Sequence, residues 1–237
     1  KEKAPDVIIH TAWQIREMYG KKDLQWKWNV EGSDKVFELA FTTPSVKKLI
    51  YFSTVSSYGA YPENELDQRF KESDGFRKSD YLYAEEKRIV EEHLIARYEK
   101  ALDEAKRTGK KVPQVNIVRP AAITGPRGRY MRIRFGLQAA LSGQLKQNPI
   151  HKLISAMVSF VPVTPKWLRQ FIHEDDVTDI VEKLTFTDVP GSYEAYNICP
   201  PGPAVLGKDM AEAVHKRTLP VKPWMVRIVF FIFWHGT

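Results

Sequence analysis

The stretch that decides the fold is KKLIYFSTVSSYG, residues 47–59. Its first half is a short apolar run, which predicts a buried strand over residues 47–52. Its second half is rich in hydroxyl side chains and ends at Gly59, a pattern typical of a loop that follows a strand. A loop at that position is where an open α/β sheet presents groups to a ligand.

Apolar runs and helical patterns alternate on both sides of this stretch. Further strands are predicted over residues 6–10 and 115–118, with a break at 119–120, and helices over 28–42 and from about 79 to about 107. Strands that alternate with helices need crossover connections, which predicts a parallel sheet. The predicted fold class is therefore α/β, with a doubly wound parallel sheet.

In such a sheet a ligand binds beyond the carboxyl ends of the strands. In this chain that edge collects residues 10–14, 53–58 and 120–125. The helix from about residue 79 starts on the same edge, because it follows the loop after the second strand. Four separate segments are expected to converge on one crevice, and this convergence predicts a functional site.

The helix from about residue 79 carries Tyr83 and Lys87, which are four residues apart and share one helix face. A neighbouring ammonium favours phenolate, so we expect the pKa of Tyr83 to lie below its usual value of about 10. Such a phenol can exchange a proton with a substrate hydroxyl near neutral pH. The spacing is common in proteins, and it gains weight only from the segments around it.

Composition narrows the class of protein. A single cysteine, Cys199, excludes an internal disulfide framework and indicates a reducing compartment, so a cytoplasmic protein is expected. The longest apolar stretch, residues 228–234, is too short to span a bilayer, and no membrane partner is expected. The net charge of +7 is spread among acidic residues on predicted helices, which favours a solvated surface over a nucleic-acid partner.

Two other kinds of site are disfavoured. No Gly-x-Ser-x-Gly motif accompanies a histidine, so a serine hydrolase is poorly supported. His10 lies in a predicted buried strand and is interpreted as a core histidine. No second ligand has suitable spacing, so no metal site is predicted.

The second half of the chain gives weaker signals. Arginines alternate with apolar residues over 127–134, and an apolar, helix-like stretch follows to Leu145. A strand is predicted over 169–173, followed by a helix over about 177–184 capped by residues 174–176. The last predicted elements are a strand at 196–198 and helix-like segments at 209–215 and 224–234.

Seven short motifs follow one another along the chain. They are Asp6-x-Ile8-Ile9-His10-x-Ala12, Asn29-Val30-x-Gly32, Phe52-Ser53-Thr54-x-x-x-Tyr58-Gly59, Tyr83-x-x-x-Lys87, Val118-Arg119-Pro120 with Gly125-Pro126, Phe171-Ile172-His173-x-x-Asp176-Val177, and Tyr196-Asn197. In this order and spacing the chain resembles the extended short-chain dehydrogenase/reductases, in particular the NAD-dependent epimerase/dehydratase group typified by UDP-galactose 4-epimerase. The resemblance implies a Rossmann-like fold, with NAD or NADP as cofactor and a homodimer as the assembly.

The resemblance also implies a role for individual residues. Tyr83 would be the acid/base, Lys87 would lower its pKa and hold the nicotinamide ribose, and Thr54 would donate to the substrate oxygen. The residues implied at the cofactor are Thr11, Ala12, Trp13, Asn29, Ser53, Tyr83, Lys87, Pro120 and Ile123. Those implied at the substrate are Thr54, Ser56, Arg129 and Arg169, because arginine forks suit a diphosphate.

The family's Gly-x-x-Gly-x-x-Gly loop, which seats the pyrophosphate, does not occur in this sequence. The chain is therefore expected to be a fragment that lacks its first strands, and the choice between NAD and NADP stays open. Residues 1–125 and about 171–200 would be the remainder of the dinucleotide-binding domain. Residues from about 126 to 170 and 201 to 237 would form the smaller, mixed α/β substrate-binding part.

The residues after Thr54 bear on the reaction. In the 4,6-dehydratases of this family Asp and Glu follow the threonine, whereas here Val55 and Ser56 do, and neither is a general acid or base. A dehydratase is therefore disfavoured, and an epimerase or a dehydrogenase/reductase, acting on a small molecule such as a nucleotide sugar, is expected. A reductase of a non-sugar ketone and a non-catalytic dinucleotide-binding sensor or assembly protein remain as alternatives.

Overall fold

The computed structural model describes residues 4–59, 61, 63–65, 67–127, 160–163, 168–202, 204–213, 215–222, 224–225 and 227–228. The chain divides into two compact units. The first comprises Lys1–Ile123 and Ile172–Cys199, and the second comprises Thr124–Phe171 and Pro200–Thr237. The roles expected for the two parts stay predictions.

The strands and helices follow one another along both units. The strands are β1 (Val7–His10), β2 (Lys48–Phe52), β3 (Gln114–Pro120), β4 (Ala122–Thr124), β5 (Phe160–Val163), β6 (Leu168–Arg169), β7 (Phe171–His173), β8 (Tyr193–Ile198), β9 (Val205–Leu206) and β10 (Arg217–Pro220). The helices are α1 (Lys22–Trp26), α2 (Gly32–Thr42), α3 (Leu82–Thr108), α4 (Glu174–Phe186) and α5 (Gly207–Ala213).

The first unit is built on a parallel sheet. Within the described residues its strands lie in the order β1-β2-β3-β8, and each neighbouring pair is parallel. In β2, Leu49 and Tyr51 pack into one core layer with α2 and α3, while Ile50 packs into the other layer with α4. Both faces of the sheet are covered, which explains why β2 reads as a continuous apolar run. The predicted α/β fold with a parallel sheet is confirmed.

The helix predicted over 28–42 is longer and less regular than expected. It starts at Lys22 and contains a π-helical turn, Lys27–Glu31, between α1 and α2. Asn29 and Val30 in this turn are buried. Single π-helical turns often occur at functional sites, and this one places the Asn29 side chain beside the loop that follows β1.

Several boundary predictions were wrong, among them the single strand predicted over 169–173, which is two strands, β6 and β7. β3 continues through Arg119 to Pro120, because Pro120 is the last residue of the strand and its missing N–H breaks no interior ladder bond. The cap of α4 is His173 rather than residues 174–176, and its Nδ1 accepts a hydrogen bond from the Asp175 backbone N–H at 3.2 Å.

Within its described residues, the second unit contains two small sheets. β5 pairs in parallel with β10, and β6 pairs with β9 in antiparallel fashion. The helix-like segment predicted before Leu145 and most of the one predicted over 224–234 lie outside the described residues. Of the helices that are described, none combines the length and the apolar character needed to cross a bilayer.

Candidate active site

The candidate site lies where β1, β2 and β3 end. Because these strands are parallel, Thr11, Ser53 and Ala121, which follow them, lie on the same edge of the sheet. Thr54 caps a short 3-10 helical turn, Val55–Tyr58, and its Oγ1 accepts a hydrogen bond from the Ser56 N–H at 3.2 Å. The turn therefore fixes the direction of the Thr54 hydroxyl.

Tyr83 stands in the first turn of α3 and reaches Thr54. The Thr54 side chain lies close enough to the Tyr83 hydroxyl to favour its phenolate form. Burial raises the pKa of Tyr83 above its ordinary value of 10, and the interaction with Thr54 offsets this rise only in part. The expected lowering of the Tyr83 pKa is wrong in direction, because burial outweighs the stabilisation of the phenolate.

The direction of Lys87 explains why it does not acidify Tyr83. Its Nζ donates to the carbonyl oxygen of Phe52 and lies 3.7 Å from the centre of the Trp13 ring and 4.8 Å from that of Tyr51. The side chain is only 3% exposed. Burial lowers the pKa of Lys87 to about 7, while the charge of Glu91 acts in the opposite direction. Lys87 is thus a buried lysine that titrates near neutrality.

Trp13 contacts both predicted catalytic residues of α3. Besides covering the ammonium of Lys87, its ring stands perpendicular to that of Tyr83, with 6.4 Å between centroids. Thr11 and Ala12, which precede it, are exposed at the end of β1. The loop after β1 therefore brings an aromatic side chain onto the Tyr83–Lys87 pair.

The remaining residues expected at the cofactor differ in exposure. Asn29 is buried and holds the backbone of Gln14, accepting from its N–H at 2.8 Å and donating to its carbonyl at 3.0 Å. Ser53 is buried, and its hydroxyl has no hydrogen-bond partner within the described part of the chain. Pro120 is buried at the end of β3, whereas Ile123 is 41% exposed.

The residues expected at the substrate belong to different parts of the chain. Ser56 is half-buried and lies beside Thr54. Arg169 is exposed and belongs to the second unit. Arg129 lies outside the described residues. The substrate roles of the two arginines stay predictions.

His10 behaves as a core residue, as expected. It is buried, its Nε2 lies 2.9 Å from Ser33 Oγ, and burial lowers its pKa to about 4. The described residues contain no group of three or more His, Cys, Asp or Glu side chains that could hold a metal ion.

A second buried cation was not anticipated from the sequence. Arg119, at the end of β3, donates to both oxygens of Glu91 and to the hydroxyl of Tyr58. We call these three residues the Arg119 cluster. A charged residue inside an apolar strand was the available signal, since arginine is seldom fully buried unless it is paired.

A family comparison supports the sequence motifs. The model of the family described as NAD dependent epimerase/dehydratase family matches residues 1–199. The comparison with curated proteins gave no match.

Solved structures resemble the chain over most of its length. The dTDP-glucose 4,6-dehydratase of Bacillus anthracis, in complex with NAD, has a TM-score of 0.63 at 16% identity, covering 92% of this chain and 61% of that one. The UDP-glucose 4-epimerase of Thermus thermophilus, in complex with NAD, has a TM-score of 0.60 at 21% identity, covering 92% and 66%. The UDP-N-acetylglucosamine 4-epimerase of Methanobrevibacter ruminantium, in complex with UDP-N-acetylmuramic acid, has a TM-score of 0.60 at 16% identity, covering 92% and 64%.

At these identities the likeness concerns the fold. The chain spans between 61% and 66% of the length of the three solved proteins.

Proposed function

Because the chain belongs to the NAD dependent epimerase/dehydratase family, we propose that it serves hydride transfer between NAD and a hydroxyl or keto carbon, with Tyr83 as the acid/base. The observation that carries this proposal is the proximity of the Tyr83 and Thr54 side chains at the carboxyl edge of a parallel sheet, with Lys87 one helical turn beyond Tyr83.

The residues at this edge fit the nicotinamide end of a dinucleotide. Ser53 offers a buried hydroxyl that is without a partner among the described residues. Lys87 has three N–H donors, of which the structure gives one to Phe52. When bound, NAD would supply the hydride acceptor. The sequence contains no Gly-x-x-Gly-x-x-Gly loop, so we assign no residues to the pyrophosphate.

The raised pKa of Tyr83 sets its protonation state. At neutral pH the phenol is protonated and can donate its proton to a substrate oxygen as a keto group is reduced. The Thr54 hydroxyl would hydrogen-bond to the same oxygen. In the oxidation direction Tyr83 must lose its proton, and the Thr54 side chain is the neighbour that lowers the pKa of this phenol.

The reaction we favour is epimerisation or simple oxidation and reduction. An elimination needs an acid and a base beside the threonine, whereas Val55 and Ser56 supply neither. The dehydratase among the similar structures shares the fold with the epimerases, so the fold does not separate the two reactions. The residues after Thr54 support the epimerase or reductase reading.

The substrate class we propose is a nucleotide sugar. The supporting observations are the family and the presence, among the similar structures, of two named UDP-sugar 4-epimerases. Arg169 and Arg129 are the side chains we propose for the diphosphate, since a guanidinium binds two phosphate oxygens at once.

The test incubates the full chain with NAD and a panel of UDP-hexoses and follows sugar composition by NMR and NADH by absorbance. An epimerase interconverts two sugars without net NADH, and a dehydrogenase accumulates NADH. A 4-keto-6-deoxy product would contradict the favoured reaction, and no turnover of any sugar would contradict the proposed substrate class. A panel of non-sugar ketones with NADH would then decide whether the chain is a reductase.

A further inference from the structure

Glu86 is a buried carboxylate that the proposed chemistry does not use. It lies on α3 between Tyr83 and Lys87 and is only 1% exposed. Its Oε2 accepts hydrogen bonds from Asn29 Nδ2 at 2.7 Å and from Gln25 Nε2 at 3.2 Å. Burying a carboxylate is costly unless it is hydrogen-bonded, so these two amides are what allow Glu86 to face inward.

Each of the two amide side chains also forms hydrogen bonds with the backbone of the loop that follows β1. Asn29 binds the backbone N–H and carbonyl of Gln14, and Gln25 Oε1 accepts from the Met18 N–H at 2.7 Å. A backbone N–H can only donate, so Asn29 Oδ1 and Gln25 Oε1 must face the loop. Their NH₂ groups are thereby turned toward Glu86, which must accept from both.

We propose that Glu86 is a positioning residue that fixes the loop after β1, and with it Trp13, against the helix that carries Tyr83 and Lys87. The link runs from Glu86 through two amide side chains to two points of the loop backbone, one residue and five residues beyond Trp13. Trp13 in turn covers the ammonium of Lys87. A role of this link in catalysis rests on the proposed function, whereas the hydrogen bonds that form the link do not depend on it.

Two substitutions of Glu86 separate this role from simple burial. Glu86→Gln keeps a carbonyl oxygen that can accept from both amides, so the loop should stay in place. Glu86→Leu has a similar size but leaves two buried N–H donors unpaired, which frees the amides to turn away from the loop. Glu99→Leu, at an exposed position of the same helix, is the matched control.

The experiment is residue-level amide hydrogen exchange by NMR on the full chain, which requires neither cofactor nor substrate. Glu86→Leu should accelerate exchange at Gln14 and Met18 by roughly 10-fold or more relative to amides of β2 and β3. Glu86→Gln and Glu99→Leu should leave both amides close to the wild type. Equal acceleration throughout the sheet, or none at the two loop amides, would overturn the proposal.

A second variant keeps the test decisive if Glu86→Leu does not fold. Gln25→Leu removes one amide only, so exchange should accelerate at Met18 and not at Gln14. NAD titration of the same variants adds a functional measurement. Glu86→Leu should bind NAD several-fold more weakly than the wild type, whereas Glu86→Gln should bind it about as well as the wild type. If exchange accelerated only at the two loop amides while NAD affinity stayed unchanged, the loop would have no role in cofactor binding. The structural link between Glu86 and the loop would still be supported. If exchange accelerated at both Gln14 and Met18 in Gln25→Leu, the proposal that Asn29 and Gln25 hold the loop independently would be contradicted.

Discussion

Two buried cations in the first unit, Lys87 and Arg119, differ in their hydrogen-bond partners and in the effect of burial on their pKa. Both side chains are almost inaccessible, at 3% and 5% exposure. Arg119 is paired with both oxygens of Glu91 and with the Tyr58 hydroxyl. Lys87 meets a carbonyl oxygen and the faces of two aromatic rings.

The surroundings decide the protonation of each cation. Burial alone would lower the pKa of Arg119, but the hydrogen bonds and charge of Glu91 more than offset it, and the net pKa is raised. For Lys87 burial dominates and the pKa falls to about 7. A permanently charged arginine with several hydrogen bonds is suited to holding structure. A lysine that changes charge near neutral pH is suited to a reaction that moves protons.

The largest effect we expect comes from breaking the Arg119 cluster. Arg119→Met should leave the Glu91 carboxylate, which is 0% exposed, without its cation. The free energy of unfolding should fall by about 3–5 kcal/mol, as is usual when one partner of a buried ion pair is removed. Denaturant unfolding followed by circular dichroism measures this loss. The double variant Arg119→Met/Glu91→Leu should recover much of it, and a double variant no more stable than the single one would contradict the assignment.

Replacing Lys87 should raise the free energy of unfolding, whereas replacing Arg119 lowers it, and the size of this gain should depend on pH. The pKa of Lys87 falls from its ordinary 10.5 to about 7 on folding, so at pH 7 and below the buried ammonium destabilises the fold in full. Between about pH 7 and pH 10 the folded lysine loses its proton while the unfolded one keeps it, and wild-type stability rises.

Lys87→Met should therefore stabilise the protein by an amount on the order of a few kcal/mol at pH 6, and by much less at pH 10. Denaturant unfolding of both proteins across this range checks the sign. A gain that is constant with pH would show that Lys87 is not desolvated as the structure has it.

The smallest of these effects concerns the hydroxyl of Tyr58. Tyr58→Phe removes a hydrogen bond to Asn197 Oδ1 at 2.9 Å and an acceptor for Arg119, which keeps its pairing with Glu91. We expect a loss of about 1–2 kcal/mol in unfolding free energy. Ser57→Ala, next to it, serves as the control for a local substitution. A loss as large as that of Arg119→Met would mean that the hydroxyl, rather than the ion pair, holds the cluster together.

The sequence predicted the frame of the site because the frame depends on periodic patterns. The apolar run of β2, its neighbours and the Tyr83 helix are local signals, and parallel pairing follows from their alternation. Because the Tyr83 helix follows the loop after β2, Thr54 and Tyr83 are expected at the same edge of the sheet. The structure brings these two residues together.

Other features depend on side chains that meet across long sequence separations. The amides that bind Glu86 come from residues 61 and 57 positions earlier in the chain, and no local pattern announces such a contact. The pKa of Tyr83 was misjudged for the same reason. Spacing on a helix places Lys87 near the phenol but does not reveal that Phe52 and Trp13 hold the ammonium.

The most direct measurement compares turnover and NAD affinity in Tyr83→Phe and the wild type. The substitution removes one hydroxyl and keeps the ring that packs on Trp13. The account predicts that turnover of the active UDP-hexose falls by roughly 100-fold or more while the NAD dissociation constant changes by less than about 3-fold. Turnover that survives the loss of the hydroxyl would contradict Tyr83 as the acid/base.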